Sequence, residues 1–266
     1  MLQTAVVLLA ALAYALAVVR LRRRGRRVSA LRVTAFAAGI ALLLVAFLSP
    51  LDHLGEERLF SAHMAQHLLI GDIAPLLVVL GLDGPLLRPL LAVRPVQRLR
   101  WLAHPLVALP LWAVKLCIWH VTPLYNAALD HDAVHAVQHG LFFGCGALVW
   151  AALLEPLPGP AWFTAGRKLV YVAGMWLVSL ALSQVFLWSG NAYYARYVDA
   201  PRTWGLTAIA DQRAGGGVML VEGSLVMLGV AVWLLFRVFR ESESRQRLLD
   251  AGVEPGAAAR AARYGR

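Results

Sequence analysis

Seven apolar runs separated by short polar segments constrain this chain more than any other feature of its sequence. They lie at residues 2–20, 30–48, 61–82, 104–121, 133–154, 168–188 and 216–237. As a helix, each run is about long enough to cross a hydrocarbon core of roughly 30 Å. Helices are also required there, because lipid offers no partners to backbone N–H and C=O groups. We therefore predict an all-α fold, a polytopic membrane helical bundle with about seven transmembrane helices.

Charge alternates between the connections. Basic clusters follow the first, third, fifth and seventh runs, whereas the second and fourth connections are acidic. Because Lys and Arg concentrate on the cytoplasmic side of membrane proteins, this pattern predicts an N-terminus outside and a cytoplasmic C-terminus. The basic cluster follows residues 2–20 instead of preceding them, so this run is expected to be a retained helix and not a cleaved signal peptide.

Composition supports the membrane assignment: 60% of the residues are hydrophobic and only 15% are charged. The net charge of +10 does not indicate nucleic-acid binding, because the basic residues lie in the segments between apolar runs. The lipid bilayer is the expected environment, with no nucleic-acid partner. We predict a single transmembrane helical bundle over residues 1–240 and a cytoplasmic basic tail over residues 241–266.

All of the 8 histidines except His104 fall on the predicted outer side of the membrane. His63 and His67 open the third run, and His135 and His139 lie in the fifth. Residues four apart stack on one face of a helix, so each run presents a pair of imidazoles. Imidazole binds copper, zinc, iron and nickel, and polar groups within spans are usually functional. We predict a metal site formed by His63, His67, His120, His135 and His139.

Further ligands or supporting groups are possible near these histidines. The candidates are Met64, Cys117, Asp132, Met219 and Glu222. Met and Cys are soft donors suited to Cu(I), although both also serve as ordinary core residues. Asp132 either orients an imidazole or acts as a helix N-terminal acid. For Met219 and Glu222, ordinary interhelical contact is the alternative.

Two intramembrane polar residues, Asp72 and Lys115, lie deeper in the runs. Asp72 follows His63 by nine residues, which on an α-helix sets it on roughly the opposite face. It is therefore expected to pair with Lys115 or another neighbour instead of joining the same ion.

Four segments carry a family resemblance. They are His63-Met64-Ala65-Gln66-His67 with Ala74-Pro75 and Leu80-Gly81, Trp119-His120 with Pro123, Leu124 and Tyr125, the pair His135 and His139, and Asp211-Gln212 with Gly216-Gly217 and Met219. In this order, over residues 30–237, they resemble the multi-span CtaG-type cytochrome c oxidase assembly factors of bacteria.

The resemblance implies a multi-pass protein of the bacterial cell membrane that helps to assemble a haem-copper oxidase, with oxidase subunits as partners and copper as the bound ion. We expect a copper-holding chaperone and not an enzyme, since no nucleophile–base motif is present. Two other functions remain open. His67 and His139 are also suitable axial ligands for a haem, and Asp72, Lys115 and Glu222 are suitable relays for a copper or proton permease.

Overall fold

The computed structural model describes residues 2–264, apart from the side chain of Leu90, and within that range the chain is helical with no strand. The helices are α1 Leu2–Arg23, α2 Ala30–Leu48, α3 Pro50–Glu57, α4 Phe60–Leu80, α5 Gly84–Leu91, α6 Arg94–Leu99, α7 Pro105–Trp119, α8 Thr122–Asp130, α9 Asp132–Leu154, α10 Ala165–Leu187, α11 Ala195–Asp199, α12 Ala208–Asp250 and α13 Pro255–Tyr264. Helix α4 contains a π-helical segment at Leu69–Ile73.

Within residues 2–264, six helices are long and apolar enough to cross a membrane: α1, α2, α4, α9, α10 and α12. A seventh span is formed if α7, which has 15 residues, is counted with the segment Arg94–Ala103 that precedes it. These helices confirm the predicted all-α bundle of about seven apolar helices. The direction in which the chain crosses the membrane stays a prediction from the distribution of Arg residues.

The segment before α7 meets that helix at an angle of 82°. The bend lies at His104, whose backbone is extended (φ −68°, ψ 132°). Pro105 follows it, and a proline disfavours helical backbone in the residue before it while fitting well at the first position of the next helix. The sequence therefore starts a new helix here instead of continuing the previous one.

Helix α9 lies in the middle of the bundle, against α4 and α7, and α10 runs along α12. The approach of α9 to α4 is close because Gly146 faces the carbonyl oxygen of Gly71, and a methyl group at Gly146 would collide with that oxygen. Small residues allow such close contact between membrane helices. This contact holds the helices that carry His67 and His139 next to each other.

One end of the bundle is held by a buried ion network around Glu155, which we call the glutamate end. Glu155 ends α9 in a left-handed conformation (φ 52°), and its carboxylate is paired with Arg263 and lies 2.9 Å from the fully buried Nζ of Lys168. Arg237 of α12 lies 3.9 Å away. The network ties α9, α10, α12 and α13 together.

Helix α12 has 43 residues, about 65 Å at 1.5 Å per residue, and it passes residue 240 without a break. The predicted boundary between bundle and tail therefore falls inside a continuous helix. After a turn at Gly252 (φ 78°), α13 brings Arg263 back to the bundle. There Arg263 also donates hydrogen bonds to the carbonyl oxygens of residues 160, 161 and 163.

Candidate metal centre

The first turn of α4, which carries the first histidine pair, is fixed by a residue distant in sequence. The carboxylate of Asp211, in α12, accepts hydrogen bonds from the backbone N–H groups of Phe60 (2.6 Å) and Ser61 (3.2 Å). These N–H groups have no partners within their own helix, and a carboxylate also interacts favourably with the helix dipole. Asp211 thus acts as a cap from a neighbouring helix and fixes the start of α4.

Three histidines converge at this end of the bundle. His63, His67 and His135 are all buried, with at most 7% of their surface exposed. Each offers one ligand atom, and these atoms lie within 4.8 Å of one another. The Nε2 atoms of His63 and His67 are 2.8 Å apart, and the His135 ring stacks on His63 at 5.4 Å between centroids. We call these residues the three-histidine site.

The other two predicted ligands border this site. His139 lies one turn below His135, with its ring 5.4 Å from His67 and 4.1 Å from His135 between centroids. His120, at the end of α7, is 6.4 Å from His67. The five histidines therefore form one buried cluster, in which three offer ligand atoms within 4.8 Å of one another.

Hydrogen bonds donated by Nδ1–H set the tautomers of four of these histidines, three of them through carbonyl oxygens. The Nδ1 atoms of His63 and His120 face the carbonyl oxygens of Gly55 (3.3 Å) and Leu116 (2.7 Å). The Nδ1 of His139 faces the amide oxygen of Gln3 at 3.3 Å. A carbonyl oxygen only accepts, so Nδ1 carries the proton in each case, and Nε2 is left with a free lone pair. This is the usual arrangement of metal-binding histidines.

His135 is held by Glu56 of α3, whose Oε1 lies 2.8 Å from Nδ1. The hydrogen bond to His135 lowers the pKa of the Glu56 carboxyl, so the carboxylate stays ionised and accepts the Nδ1 proton. The Nε2 atoms of His120, His135 and His139 are buried and have no hydrogen-bond partner within residues 2–264. A buried polar atom without a partner is costly, which favours a role in binding.

His67 is oriented differently from the others. Because His63 has its proton on Nδ1, the short contact between the two Nε2 atoms requires His67 to donate from Nε2. Its Nδ1 is buried and has no partner in the described part of the chain. For both Nε2 atoms to bind one ion, the His67 proton would have to move to Nδ1, whose lone pair is free. A metal ion held by both residues would therefore be coupled to a change of tautomer at His67.

Two predicted supporting residues lie outside the cluster. Asp132 is exposed on the first turn of α9, and the carboxylate beside His135 belongs to Glu56. The physical reason is that α3 folds over the start of α4 and delivers its own carboxylate. Cys117 of α7 is also exposed. His53 and His131 are exposed at the same end of the bundle.

A small cavity of about 40 Å³, which we call the inner cavity, lies next to the three-histidine site. Its polar and sulfur-containing lining residues include Met64, His67, Asp72, Lys115, His120, Ser179, Met219 and Glu222. The volume accommodates an ion or a few water molecules and nothing larger. Both predicted intramembrane polar residues thus border the histidine cluster.

Asp72 differs from its expected position, because it lines the same cavity as His67. On a regular α-helix a spacing of five residues would separate the two side chains by about 140°. The π-helical segment Leu69–Ile73 has i→i+5 hydrogen bonding and reduces this angle. Trp150 donates a hydrogen bond from Nε1 to Asp72 Oδ1 (2.9 Å), and the Lys115 ammonium lies 3.8 Å from the centroid of the Phe142 ring.

A sequence model of the family described as cytochrome c oxidase caa3 assembly factor (Caa3_CtaG) matches residues 12–241. Among curated relatives, uncharacterized proteins of Mycobacterium bovis and Mycobacterium tuberculosis are each 29% identical over 250 residues, covering 84% of this chain and 36% of the relative. One from Mycobacterium leprae is 27% identical over 266 residues, covering 90% and 38%. The chain thus spans little more than a third of these relatives' length. No solved structure matches.

Proposed function

This chain belongs to the family of cytochrome c oxidase caa3 assembly factors, and from that premise we propose that it carries copper for the oxidase at the three-histidine site. The observation that supports this most directly is the convergence of buried imidazole nitrogens. Three histidines from two helices offer ligand atoms within 4.8 Å of one another. Copper is the metal that a haem-copper oxidase needs, and imidazole is a good copper ligand.

The chemistry of the site suits transfer better than permanent binding. Glu56 orients His135 so that its free Nε2 lone pair could bind the metal. His67, in contrast, has its proton on the nitrogen that would bind. Copper binding then needs the His67 proton to move from Nε2 to Nδ1, and return of that proton to Nε2 favours release. We infer a copper chaperone and not an enzyme, because the inner cavity is too small to hold an organic substrate beside the histidines.

The site is expected to face the extracytoplasmic side of the bacterial cell membrane. The histidine cluster lies at the opposite end of α9 from Glu155, about 30 Å away at 1.5 Å per residue. The Arg-rich connections and the tail lie toward the glutamate end, which by the positive-inside rule is cytoplasmic. Copper would thus be offered to oxidase subunits from the outer side of the membrane.

The test uses the full chain purified in detergent and the His63→Ala/His135→Ala variant. We expect this variant to lose one equivalent of bound copper relative to the wild type. In bacteria that lack the native gene, it should also fail to restore copper loading of the oxidase. The matched control is His53→Ala/His131→Ala, which removes two exposed histidines from the same end. Full copper content and full oxidase loading in the first variant would contradict the proposal.

The two alternative functions have weaker support. A haem ligated by His67 and His139 needs a slot for a porphyrin, whereas these rings are in direct contact at 5.4 Å between centroids. A Soret band in the purified protein would revive that alternative. A permease needs polar groups on both sides of the inner cavity. Toward the glutamate end, the fully buried apolar side chains of α9 and α10 include Val149, Trp150, Leu153 and Met175, and the fully buried Lys168 is already paired with Glu155.

A further inference from the structure

The inner cavity has a donor set of its own, distinct from the three-histidine site. His120 is 9% exposed and lines this cavity. Its Nδ1–H donates to the carbonyl oxygen of Leu116 at 2.7 Å, so the Nε2 lone pair is free. That Nε2 is buried without a partner anywhere in residues 2–264. His120 is therefore held in the tautomer that binds a metal, although it is not one of the three closely spaced ligands.

Two thioethers line the same cavity. Met64 of α4 is 1% exposed and Met219 of α12 is 5% exposed. Together with His120 they provide one nitrogen and two sulfur donors from three different helices. Thioethers are soft ligands that favour Cu(I), whereas a site of imidazoles alone also accepts zinc.

The charge around the cavity suits a monovalent cation. Asp72 and Glu222 contribute two carboxyl groups against the single ammonium of Lys115. Asp72 is satisfied by Trp150, but both oxygens of Glu222 are buried without a partner among the residues described. Glu222 follows Met219 by three residues on α12 and hence lies on the same face. A cation bound by Met219 would supply the counter-charge that Glu222 lacks.

We propose that the inner cavity is a second copper site, selective for Cu(I), formed by Nε2 of His120 and the thioethers of Met64 and Met219, with Glu222 as the counter-charge. A cavity of about 40 Å³ fits an ion stripped of most of its water. His67 borders both sites, since its Nε2 faces His63 and its ring lines the cavity. Copper would pass between the two sites by ligand exchange, with no change of oxidation state, and this step rests on the proposed function. Binding of Cu(I) at the inner cavity does not depend on that function.

The experiment is an anaerobic titration of the detergent-purified full chain with Cu(I), and separately with Zn(II), against a competing chelator. We expect two equivalents of Cu(I) and one of Zn(II) for the wild type. Met64→Leu/Met219→Leu should bind one equivalent of each metal. The substitution nearly conserves volume, so the fold should survive. The matched control, Met175→Leu/Met227→Leu, changes two buried methionines that do not line the cavity and should bind like the wild type.

X-ray absorption at the copper edge supplies an independent readout. Sulfur neighbours of copper should be present in the wild type and in a Cys117→Ala/Cys145→Ala variant, and absent from Met64→Leu/Met219→Leu. Unchanged Cu(I) stoichiometry and sulfur signal in the methionine variant would overturn the inner site.

His63→Ala/His135→Ala separates the two proposals. Loss of Zn(II) with retention of one sulfur-bound Cu(I) supports both sites. Retention of Zn(II) and both Cu(I) equivalents refutes the three-histidine site alone. Loss of all Cu(I) in this variant would refute an independent inner site.

Discussion

The two ends of α9 differ in whether their buried polar groups have partners. At the glutamate end, Glu155 has Lys168 and Arg263 as direct partners, and the remaining donors of Arg263 reach peptide carbonyls. At the other end, the Nε2 atoms of His120, His135 and His139 are buried and have no partner in the part of the chain that the structure describes. A buried charge with ion-pair partners can stabilise a fold, whereas lone pairs left without any partner in a dry interior destabilise it. The first arrangement therefore indicates structure and the second a ligand.

The largest effect is expected at the glutamate end. Glu155→Gln leaves the buried Lys168 and the nearly buried Arg263 without their shared counter-charge. We expect the free energy of unfolding to fall by about 3–5 kcal/mol, measured by thermal or denaturant unfolding in detergent. Copper stoichiometry of the fraction that stays folded should not change. The control is Glu241→Gln, which removes a more exposed partner of Arg237 and should cost about 0–1 kcal/mol. Equal effects of the two changes would break the comparison.

Replacing an acidic residue of the inner cavity should change the free energy of unfolding in the opposite direction. Glu222→Leu replaces a carboxyl group whose two oxygens are buried and unpaired within residues 2–264. In the absence of metal, we expect the free energy of unfolding to rise by about 1–3 kcal/mol, because an unsatisfied polar group is removed. Glu243→Leu on the same helix is exposed and paired with Arg247, so it should give no gain. A loss of stability in Glu222→Leu, as for Glu155, would show that both ends are structural networks.

The third effect should appear in copper binding, with little change in the free energy of unfolding. Glu56→Gln keeps the shape of the side chain but weakens its hold on Nδ1 of His135. We expect copper affinity at the three-histidine site to fall by about 10- to 100-fold, with little change in unfolding. Competition titration with a chelator measures the difference. Asp132→Asn, an exposed acid on the same helix as His135, should bind copper like the wild type. Equal losses in both variants would mean that only the overall charge of this end matters.

The Glu56 contact also shows where sequence reasoning stops. The spacing of His135 and His139 predicts correctly that they share a face of one helix, because helical period is a local property. It does not identify the carboxylate that holds His135, since Glu56 reaches it through the fold of α3 over α4. In the sequence, Glu56 contributes only to the acidic charge of its connection, and Asp132 is the nearer acid. Gln3, beside His139, gives no signal in the sequence at all.

The position of Asp72 depends on backbone geometry that composition does not reveal. A regular helix sets Asp72 away from the histidines, and the π-helical segment brings it to the cavity that His67 lines. Similarly, Glu155 lies in an unremarkable polar connection of the sequence, and its three basic neighbours come from segments 13 to 108 residues away. Pairings across such distances are not encoded in any local pattern.

By itself, the sequence determined the all-α membrane fold, the apolar spans, the histidine-bearing faces and the family. Span length, helical period and motif order are properties of contiguous residues, so they can be read without coordinates. The tertiary structure decided which three histidines approach within 4.8 Å, which oxygen fixes each tautomer and which polar groups share the inner cavity. Those features depend on the rotation and depth of each helix relative to its neighbours, which are set by contacts such as Gly146 against Gly71 between residues distant in the chain.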